Sequence, residues 1–338
     1  MVPAELTFSL ADAKAHLIKA DVRWEDIFKR MKCKPYEHLE RVDPFRCDNI
    51  SQGQQISWLA ARSITHRFIR LFDPSLPEKP TDNAWATGET FFPTAHQVSN
   101  LDIATLRTAG LSGRKAEYVL DLATRFADGR LSTQKLMEAD DDELARLLIE
   151  VRGIGRWTVD MFAIFSLRRP DILPVGDLGV QRGVLRWFLA LHSPTYKFGI
   201  SSKKLPKMPG DDSADKNGTD TPPAVPPAAV VPPTPARNGE SQSGVATPSS
   251  SLSSTLTDIP SFPPLFTPSI NQALHANTAP PPLPEGLTTS ILKSRLDGKK
   301  KIKGAILTPK EMEDLTEPWR PYRSIGVYYM WSLAEESG

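Results

Sequence analysis

The sequence predicts an all-α protein whose helical fold is interrupted by one long insertion. Apolar residues recur at spacings of three and four through the first 192 residues, which is the period of an amphipathic helix. We find no sustained apolar/polar alternation, the pattern of a half-buried strand. The prolines are unevenly distributed, because 18 of the 31 fall between Leu205 and Pro284. Two helical blocks, 1–192 and 299–338, are therefore expected on either side of a low-complexity segment, 193–298.

Apolar stripes predict the helices in chain order. The stripes of the first block are formed by Ile56, Leu59, Ala60, Ile64 and Phe68; by Tyr118, Leu122, Ala123 and Phe126; by Leu144, Leu147, Leu148 and Val151; by Trp157, Met161, Ile164 and Phe165; and by Val184, Leu185 and Phe188. Three aspartates, 140–142, precede the third stripe, and negative charge there is typical of a helix N-terminus.

The second block predicts a C-terminal helix from Pro321 to Leu333, with proline at its first position. A helix of about 12 residues is marginal in water on its own. We therefore expect it to return across the insertion, pack on the first block and complete one fold.

The segment 193–298 predicts disorder. It carries several proline pairs, a serine run at 249–254 and no Trp or Tyr after Tyr196. Such a composition buries too little apolar surface to offset the entropy lost on ordering. A linker is the favoured interpretation, and a docking site for a partner is the alternative.

Charge and cysteine content exclude several classes of protein. The 41 Lys and Arg balance 40 Asp and Glu, which excludes a protein that holds nucleic acid by bulk charge alone. Two cysteines, Cys33 and Cys47, cannot form a disulfide framework or a four-thiolate iron–sulfur site.

The sequence shows neither a transmembrane stretch nor a signal peptide, so we expect a nuclear or cytosolic location and no membrane partner. The basic run 299–303 fits a nuclear localisation patch or a DNA-facing tail, with plain solvated surface as the alternative.

A glycine turn separates the third and fourth stripes within 144–168. Gly153 and Gly155 permit a sharp turn, and the N–H groups that open the next helix then point outward beside Arg156. This arrangement suits a phosphate. On the glycine pattern alone, an ordinary αα-hairpin remains the alternative.

A single carboxylate, Asp177, follows the Pro/Gly loop that begins at Pro174 and opens the next apolar helix. Its position predicts a helix N-cap. Capping is compatible with catalysis, because a carboxylate at a helix start is fixed in direction.

These residues together carry a family resemblance. Gly153-Ile-Gly-Arg-Trp-Thr158, Pro174-Val-Gly-Asp177-Leu-Gly-Val180 and Pro321-Tyr-Arg-Ser324 resemble motifs of the helix-hairpin-helix (HhH-GPD) DNA glycosylases, in the branch of the 3-methyladenine DNA glycosylases. Ser51-Gln-Gly-Gln-Gln-Ile-Ser57 and Gly110-Leu-Ser-Gly-Arg-Lys-Ala116 extend the likeness, in family order, over most of 35–192 and 304–333.

The resemblance implies an all-helical, two-lobed fold around a cleft, with Asp177 as the catalytic carboxylate. It implies that the hairpin residues Gly153, Ile154, Gly155, Arg156 and Thr158 bind the DNA backbone. Gln54 and Gln55 lie where the family places the residues that enter the vacated base stack, and a polar helix surface is the alternative. The resemblance implies no cofactor beyond a monovalent cation held by hairpin carbonyls.

The implied reaction is hydrolytic excision of alkylated purines, 3-methyladenine and 7-methylguanine, from double-stranded DNA. An extruded alkylated base is cationic, so aromatic faces attract it, and no general acid is needed for such a leaving group. Trp157, Tyr322 and Trp319 are the candidate base-pocket aromatics, although buried aromatics at helical spacing are usually core. Met161 stands where some relatives carry a pocket aromatic.

Related glycosylase/lyases place a Schiff-base lysine where this chain has Trp157, which predicts a monofunctional enzyme that leaves an abasic site. A non-catalytic DNA-binding module and, less favoured, an oxidised-base glycosylase/lyase are the alternatives. We expect a monomer whose product passes to downstream abasic-site repair enzymes.

The chain departs from the family in three places. About eight extra residues around 42–49 precede the Gln54–Gln55 helix. The bacterial relatives' N-terminal β-domain has no counterpart in 1–34, and the insertion before the C-terminal helix is unusually long.

Overall fold

A computed structural model describes residues 2–3, 6–31, 35–36, 41–42, 58–79, 91–196, 280–300 and 302–334. Within these ranges the chain is helical, apart from one antiparallel pair of two-residue strands, β1 (Val2–Pro3) and β2 (Arg41–Val42). The all-α prediction is therefore confirmed. No helix in the described part of the chain is long and apolar enough to cross a membrane.

The α-helices follow one another with short connections. They are α1 (Leu10–Ala20), α2 (Arg23–Arg30), α3 (Trp58–Arg70), α4 (Ala95–Ser99), α5 (Ile103–Thr108), α6 (Gly113–Ala127), α7 (Thr133–Glu138), α8 (Asp141–Ile149), α9 (Arg156–Met161), α10 (Leu178–His192), α11 (Thr289–Leu296), α12 (Pro309–Thr316) and α13 (Arg323–Leu333). A π-helical turn, Phe162–Ser166, continues α9, and a 3-10 turn, Glu317–Trp319, continues α12.

Side-chain caps explain many of these helix starts. Ser112, Ser132 and Asp140 accept hydrogen bonds from the third backbone N–H of α6, α7 and α8 respectively. Thr308 forms a capping box with Glu311 at the start of α12, where proline is the first helical residue. The aspartates of 140–142 do mark a helix N-terminus, as predicted from charge.

Two groups of helices share the core. In one group α4 and α5 pack on α6, and in the other α11, α12 and α13 pack around α10. The N-terminal helices join the second group through Trp24, which is fully buried against Trp187, Trp319 and Tyr329. Arg23 beside it is buried, pairs with Asp21 and lies 4.0 Å above the Trp187 ring.

The C-terminal end of the predicted insertion is ordered, which corrects its boundary. Residues 280–298 are described, and α11 lies within them. Thr288 caps this helix, and Leu292 is completely buried where α11 packs on α10. The physical reason is that this stretch carries a capped apolar stripe within otherwise proline-rich sequence. The prediction of disorder for 197–279 lies outside the described residues, and the division into 1–192, 193–298 and 299–338 otherwise stays a prediction.

The C-terminal helix also starts later than predicted. Pro321 follows a cis peptide bond and precedes α13, which begins at Arg323. The expectation that this helix packs on the first block is correct, because α13 crosses α10 closely.

That crossing generates a prediction for Gly183→Ala. A Cβ at Gly183 would stand 2.2 Å from the backbone oxygen of Met330, and a backbone cannot move aside as a side chain can. We expect the variant to lower the free energy of unfolding by about 1–3 kcal/mol, measured by urea denaturation. Gly113→Ala at the start of α6 is the control, since its Cβ would meet nothing within 4 Å. Equal stability of the two variants would contradict the close packing of α10 on α13.

Candidate active site

Asp177 lies at the N-terminus of α10 with both carboxylate oxygens hydrogen-bonded. Oδ1 accepts from the backbone N–H of Val180 at 2.8 Å, which makes Asp177 the N-cap predicted from its position. Oδ2 accepts from Nε1 of Trp157 at 2.6 Å. One donor belongs to the helix that Asp177 starts and the other to α9, so the carboxylate has a defined direction relative to both helices.

A second indole approaches the same carboxylate. A Cβ built on Gly179 would lie 3.1 Å from Asp177 Oδ1 and 3.0 Å from Cδ1 of Trp331 on α13. Glycine at this position therefore permits the Trp331 ring to pack beside the cap. Among the described residues, nothing accepts a hydrogen bond from the buried Nε1 of Trp331.

Half-buried aromatic rings continue away from Trp331. Phe165 stacks on Trp331 with ring centroids 5.6 Å apart, and Tyr328 packs on Phe165 at 6.0 Å. Phe165 comes two turns after Trp157 on the same helical path, with the buried Met161 between them. Trp157 and Trp331 therefore lie beside Asp177, and Phe165 and Tyr328 extend the aromatic surface from Trp331.

One of the predicted base-pocket aromatics is a core residue. Trp319 is 2% exposed and packs against Trp24 and Phe188, because it lies in the turn before α13 that faces the N-terminal helices. Tyr322 is half-buried, and its ring contacts those of Phe8 and His16. Its place in a base pocket stays a prediction.

The sequence analysis did not predict that Phe165, Tyr328 and Trp331 belong to the aromatic surface next to Asp177. Phe165 belonged to a predicted stripe, and its i+8 relation to Trp157 was an available signal. No spacing rule links Trp331 to Asp177, because more than 150 positions separate them.

The loop before Asp177 is held by the start of α13. The Oγ of Ser324 donates to the Arg169 carbonyl and accepts from the Ile172 N–H at 2.9 Å. Asp171 accepts from Arg323 at 2.5 and 3.1 Å and from Arg320 at 2.8 Å. A segment beyond the insertion therefore supports the loop that carries the candidate catalytic carboxylate.

The glycine hairpin links α8 to α9. Gly153 has φ +83°, a left-handed conformation that favours glycine. A Cβ there would also stand 2.2 Å from the Tyr118 ring, so the turn has no space for a side chain. Gly155 is the exposed N-cap of α9, and no side chain caps that helix. The exposed surface of the turn therefore consists of glycine backbone together with Arg152 and Arg156.

Ile154 and Thr158 do not lie on that surface. Both are 5% exposed, and the N–H of Ile154 donates to the Val151 carbonyl. Ile154 is the apolar anchor that holds the turn in the core. Of the predicted DNA-contacting residues in the hairpin, Gly153, Gly155 and Arg156 are accessible. Gln54 and Gln55 lie outside the described residues.

Arg156 is paired with a buried acid one turn along α9. Its Nε donates to Asp160 Oδ1 at 2.9 Å, with the arginine side chain 58% exposed and the aspartate 7% exposed. Burial raises the pKa of Asp160 to about 6, and the Arg156 charge offsets part of that rise.

A cavity of about 520 Å³ opens on one side of Arg156 and is lined mainly by acids, namely Asp140, Asp141, Asp142, Asp171 and Glu313. Asp177 does not line it. These acids outnumber the two arginines of the lining, Arg156 and Arg323, and carboxylates repel phosphate, so the glycine surface remains the candidate contact with DNA.

Comparisons with known proteins find a matching family model and several similar proteins. Residues 52–198 match the family model described as HhH-GPD superfamily base excision DNA repair protein. A Bacillus subtilis protein named putative DNA-3-methyladenine glycosylase is 34% identical over 135 residues, which are 40% of this chain and 44% of that protein. The chain thus spans less than half of that relative's length.

DNA-3-methyladenine glycosylase 1 of Schizosaccharomyces pombe is 31% identical over 182 residues, which are 53% of this chain and 73% of the relative. A solved structure of a fission-yeast 3-methyladenine DNA glycosylase in complex with abasic DNA is 26% identical, covers 51% of this chain and 78% of that one, and superposes with a TM-score of 0.39.

The buried acid beneath the hairpin generates a prediction for Asp160→Asn. The folded-state pKa of Asp160, about 6, lies above the unfolded value of 3.8. The contribution of protonated Asp160 to the free energy of unfolding is therefore fully present below pH 3.8 and is lost as the pH rises through 6. Asparagine removes that loss. At pH 7.5 we expect the variant to be more stable than the wild type by on the order of 3 kcal/mol, with the difference vanishing near pH 4.

The measurement is denaturant unfolding of both proteins between pH 4 and 8. Asp142→Asn serves as the control, because Asp142 is exposed and its substitution has no burial cost to relieve. A constant difference between Asp160→Asn and the wild type across this range would contradict the raised pKa.

Proposed function

This chain belongs to the HhH-GPD superfamily of base excision DNA repair proteins, and we propose that it is a monofunctional DNA N-glycosylase that excises 3-methyladenine, and with it 7-methylguanine, by hydrolysis. The observation that carries the proposal is a carboxylate held by two donors beside aromatic rings, close in space to a glycine hairpin. The names of the bacterial and fission-yeast relatives support the alkylated-base substrate class.

Asp177 acts on the sugar as its bond to the base breaks. An alkylated purine carries positive charge, so the C1′–N bond can break with its electron pair returning to the base and no acid catalyst. The sugar then develops oxocarbenium character, and a fixed carboxylate stabilises that positive charge electrostatically. Water adds to C1′ and loses a proton, which gives free base and an abasic site.

Trp157 has two functions in this proposal. Its Nε1–H directs the carboxylate, as the 2.6 Å hydrogen bond indicates. Its half-buried ring, with those of Phe165 and Trp331, offers electron-rich faces to a cationic base, each worth about 0.5–2 kcal/mol. A neutral purine gains less from such faces, which favours alkylated bases over normal ones.

The hairpin holds the duplex while the nucleotide is extruded. Extrusion costs a few kcal/mol, which contacts to the DNA backbone must offset. The Gly153–Gly155 backbone can approach a phosphate closely because no side chain intervenes, and Arg156 adds charge. Gln54 and Gln55 are proposed to enter the vacated stack.

The absence of lysine from 144–168 supports a hydrolase without lyase activity, since a Schiff-base nucleophile would have to come from elsewhere.

A monovalent cation at the hairpin fits the donor chemistry. The Val151 and Gly155 carbonyls each accept one hydrogen bond and retain a second lone pair. Such an ion would place positive charge near a phosphate of the DNA.

We further propose a monomer that acts in the nucleus ahead of abasic-site repair enzymes.

Asp177→Asn tests the catalytic assignment. Asparagine caps a helix about as well as aspartate, so the fold should persist, but the negative charge is lost and the side chain can accept from only one of Val180 N–H and Trp157 Nε1–H. We expect the wild type to release 3-methyladenine from methylated genomic DNA with the strand intact until alkali treatment. The variant should release base at least about 100-fold more slowly and bind DNA as tightly as the wild type.

Chromatography of the freed bases and a borohydride trapping assay provide the readouts. Unchanged release by Asp177→Asn would contradict the role of Asp177. No release by the folded wild type would favour a binding module, and a trapped covalent adduct would favour a lyase.

Arg156→Gln tests the hairpin contact with phosphate. Loss of one phosphate contact should make the slope of log affinity against log salt shallower by roughly 0.9 and weaken binding equally for all sequences. Lys310→Gln on α12 is the matched control, because it removes the same charge from a side chain that is 82% exposed. Equal slopes for the wild type and Arg156→Gln would exclude that contact.

A further inference from the structure

Gln181 is a buried glutamine on α10 whose side chain joins two separate segments. It is 1% exposed, one turn after Asp177. Its Oε1 accepts from the backbone N–H of Ile306 at 2.7 Å and of Leu307 at 3.2 Å. Its Nε2 donates to the carbonyl of Val175 at 2.6 Å.

The chemistry of the partners sets the orientation of this amide. The N–H groups of Ile306 and Leu307 can only donate, and the carbonyl of Val175 can only accept. A glutamine satisfies all three at once, whereas glutamate has no donor for Val175 and methionine can bond to none of the three strongly. Since the side chain is buried, each lost bond would leave a peptide group without a partner.

The two segments joined by Gln181 differ in their relation to the candidate catalytic residue. Val175 lies two residues before Asp177 in the loop that sets the direction of its carboxylate. Ile306 and Leu307 belong to the segment that returns after residues 197–279. The backbone N–H of Gln181 also donates to the Asp177 carbonyl at 2.9 Å.

We propose that Gln181 is a positioning residue that sets the Asp177 carboxylate by tying the Val175 carbonyl to the segment after the insertion. The expected effect on the rate of base release rests on the proposed function, whereas the expected effect on the position of the carboxylate does not. One side chain, that of Gln181, thus connects Ile306 directly to the loop that carries Asp177. Displacement of Val175 would turn the loop and move Asp177 relative to Trp157.

Gln181→Met and Gln181→Glu test the proposal. Methionine keeps the volume and removes the three hydrogen bonds, while glutamate keeps the acceptor for Ile306 and Leu307 but loses the donor to Val175. We expect both variants to release base about 10- to 100-fold more slowly in single turnover, because small displacements at a reacting centre cost that much. Affinity for abasic DNA should stay within about twofold, since neither segment belongs to the hairpin.

A second readout does not depend on activity. The Val180 amide is bonded to Asp177 Oδ1, so its hydrogen exchange reports whether the carboxylate stays on its cap. We expect exchange at Val180 to be at least about tenfold faster in both variants. Leu185→Ala on the same helix is the control: Leu185 is fully buried, so stability falls, while Val180 exchange and the rate well below the melting temperature stay near wild type.

The outcomes separate the two proposals. If both variants lose stability as Leu185→Ala does but keep the wild-type rate and Val180 protection, Gln181 is merely structural and the proposal fails. If only methionine slows the rate, Gln181 anchors the 306–307 segment rather than Val175, which also overturns it. If the folded wild type releases no base, the proposed function fails, and Val180 exchange still decides the positioning role.

Discussion

The hydrogen bond from Trp157 to Asp177 connects the two halves of the candidate site. Trp157 is the residue after Arg156, so the helix that starts at the hairpin also directs the carboxylate. A change in the hairpin that rotated α9 would move the indole donor, and with it the position of the charge on Asp177. The proposed contact with the DNA backbone and the placement of the candidate catalytic group therefore depend on one short helix.

The other support of Asp177 comes from the far side of the insertion. Ser324 and Arg323 hold the beginning of the Asp177 loop, and the Ile306–Leu307 segment holds its end through Gln181. Tyr196, which precedes residues 197–279, accepts a hydrogen bond from Arg186 on α10, and α11, which follows those residues, packs on the same helix. The segments on both sides of residues 197–279 therefore contact the same helix, α10. Because loop-closure entropy grows slowly with length, a long insertion between such neighbours is tolerable.

The aromatic residues show why a site is harder to predict than a fold. Trp319 and Trp331 are both tryptophans near the C-terminus, and nothing local distinguishes them. Trp319 fills the core between Trp24 and Phe188, while Trp331 reaches Gly179 beside Asp177. The difference arises from the α10–α13 crossing, in which Gly183 permits close contact with Met330.

Six helices (α3, α6, α8, α9, α10 and α13), the glycine turn and the N-cap at Asp177 could be recognised from sequence, because each depends on residues within a few positions of one another. The family could be recognised because several such local motifs follow one another in order. Periodicity, capping and the left-handed φ of Gly153 are local properties of the chain. The burial of Ile154 and Thr158 and the approach of Trp331 to Asp177 were decided by tertiary structure. They depend on packing between segments that can be more than 150 positions apart, and no local pattern encodes which side chain fills which space.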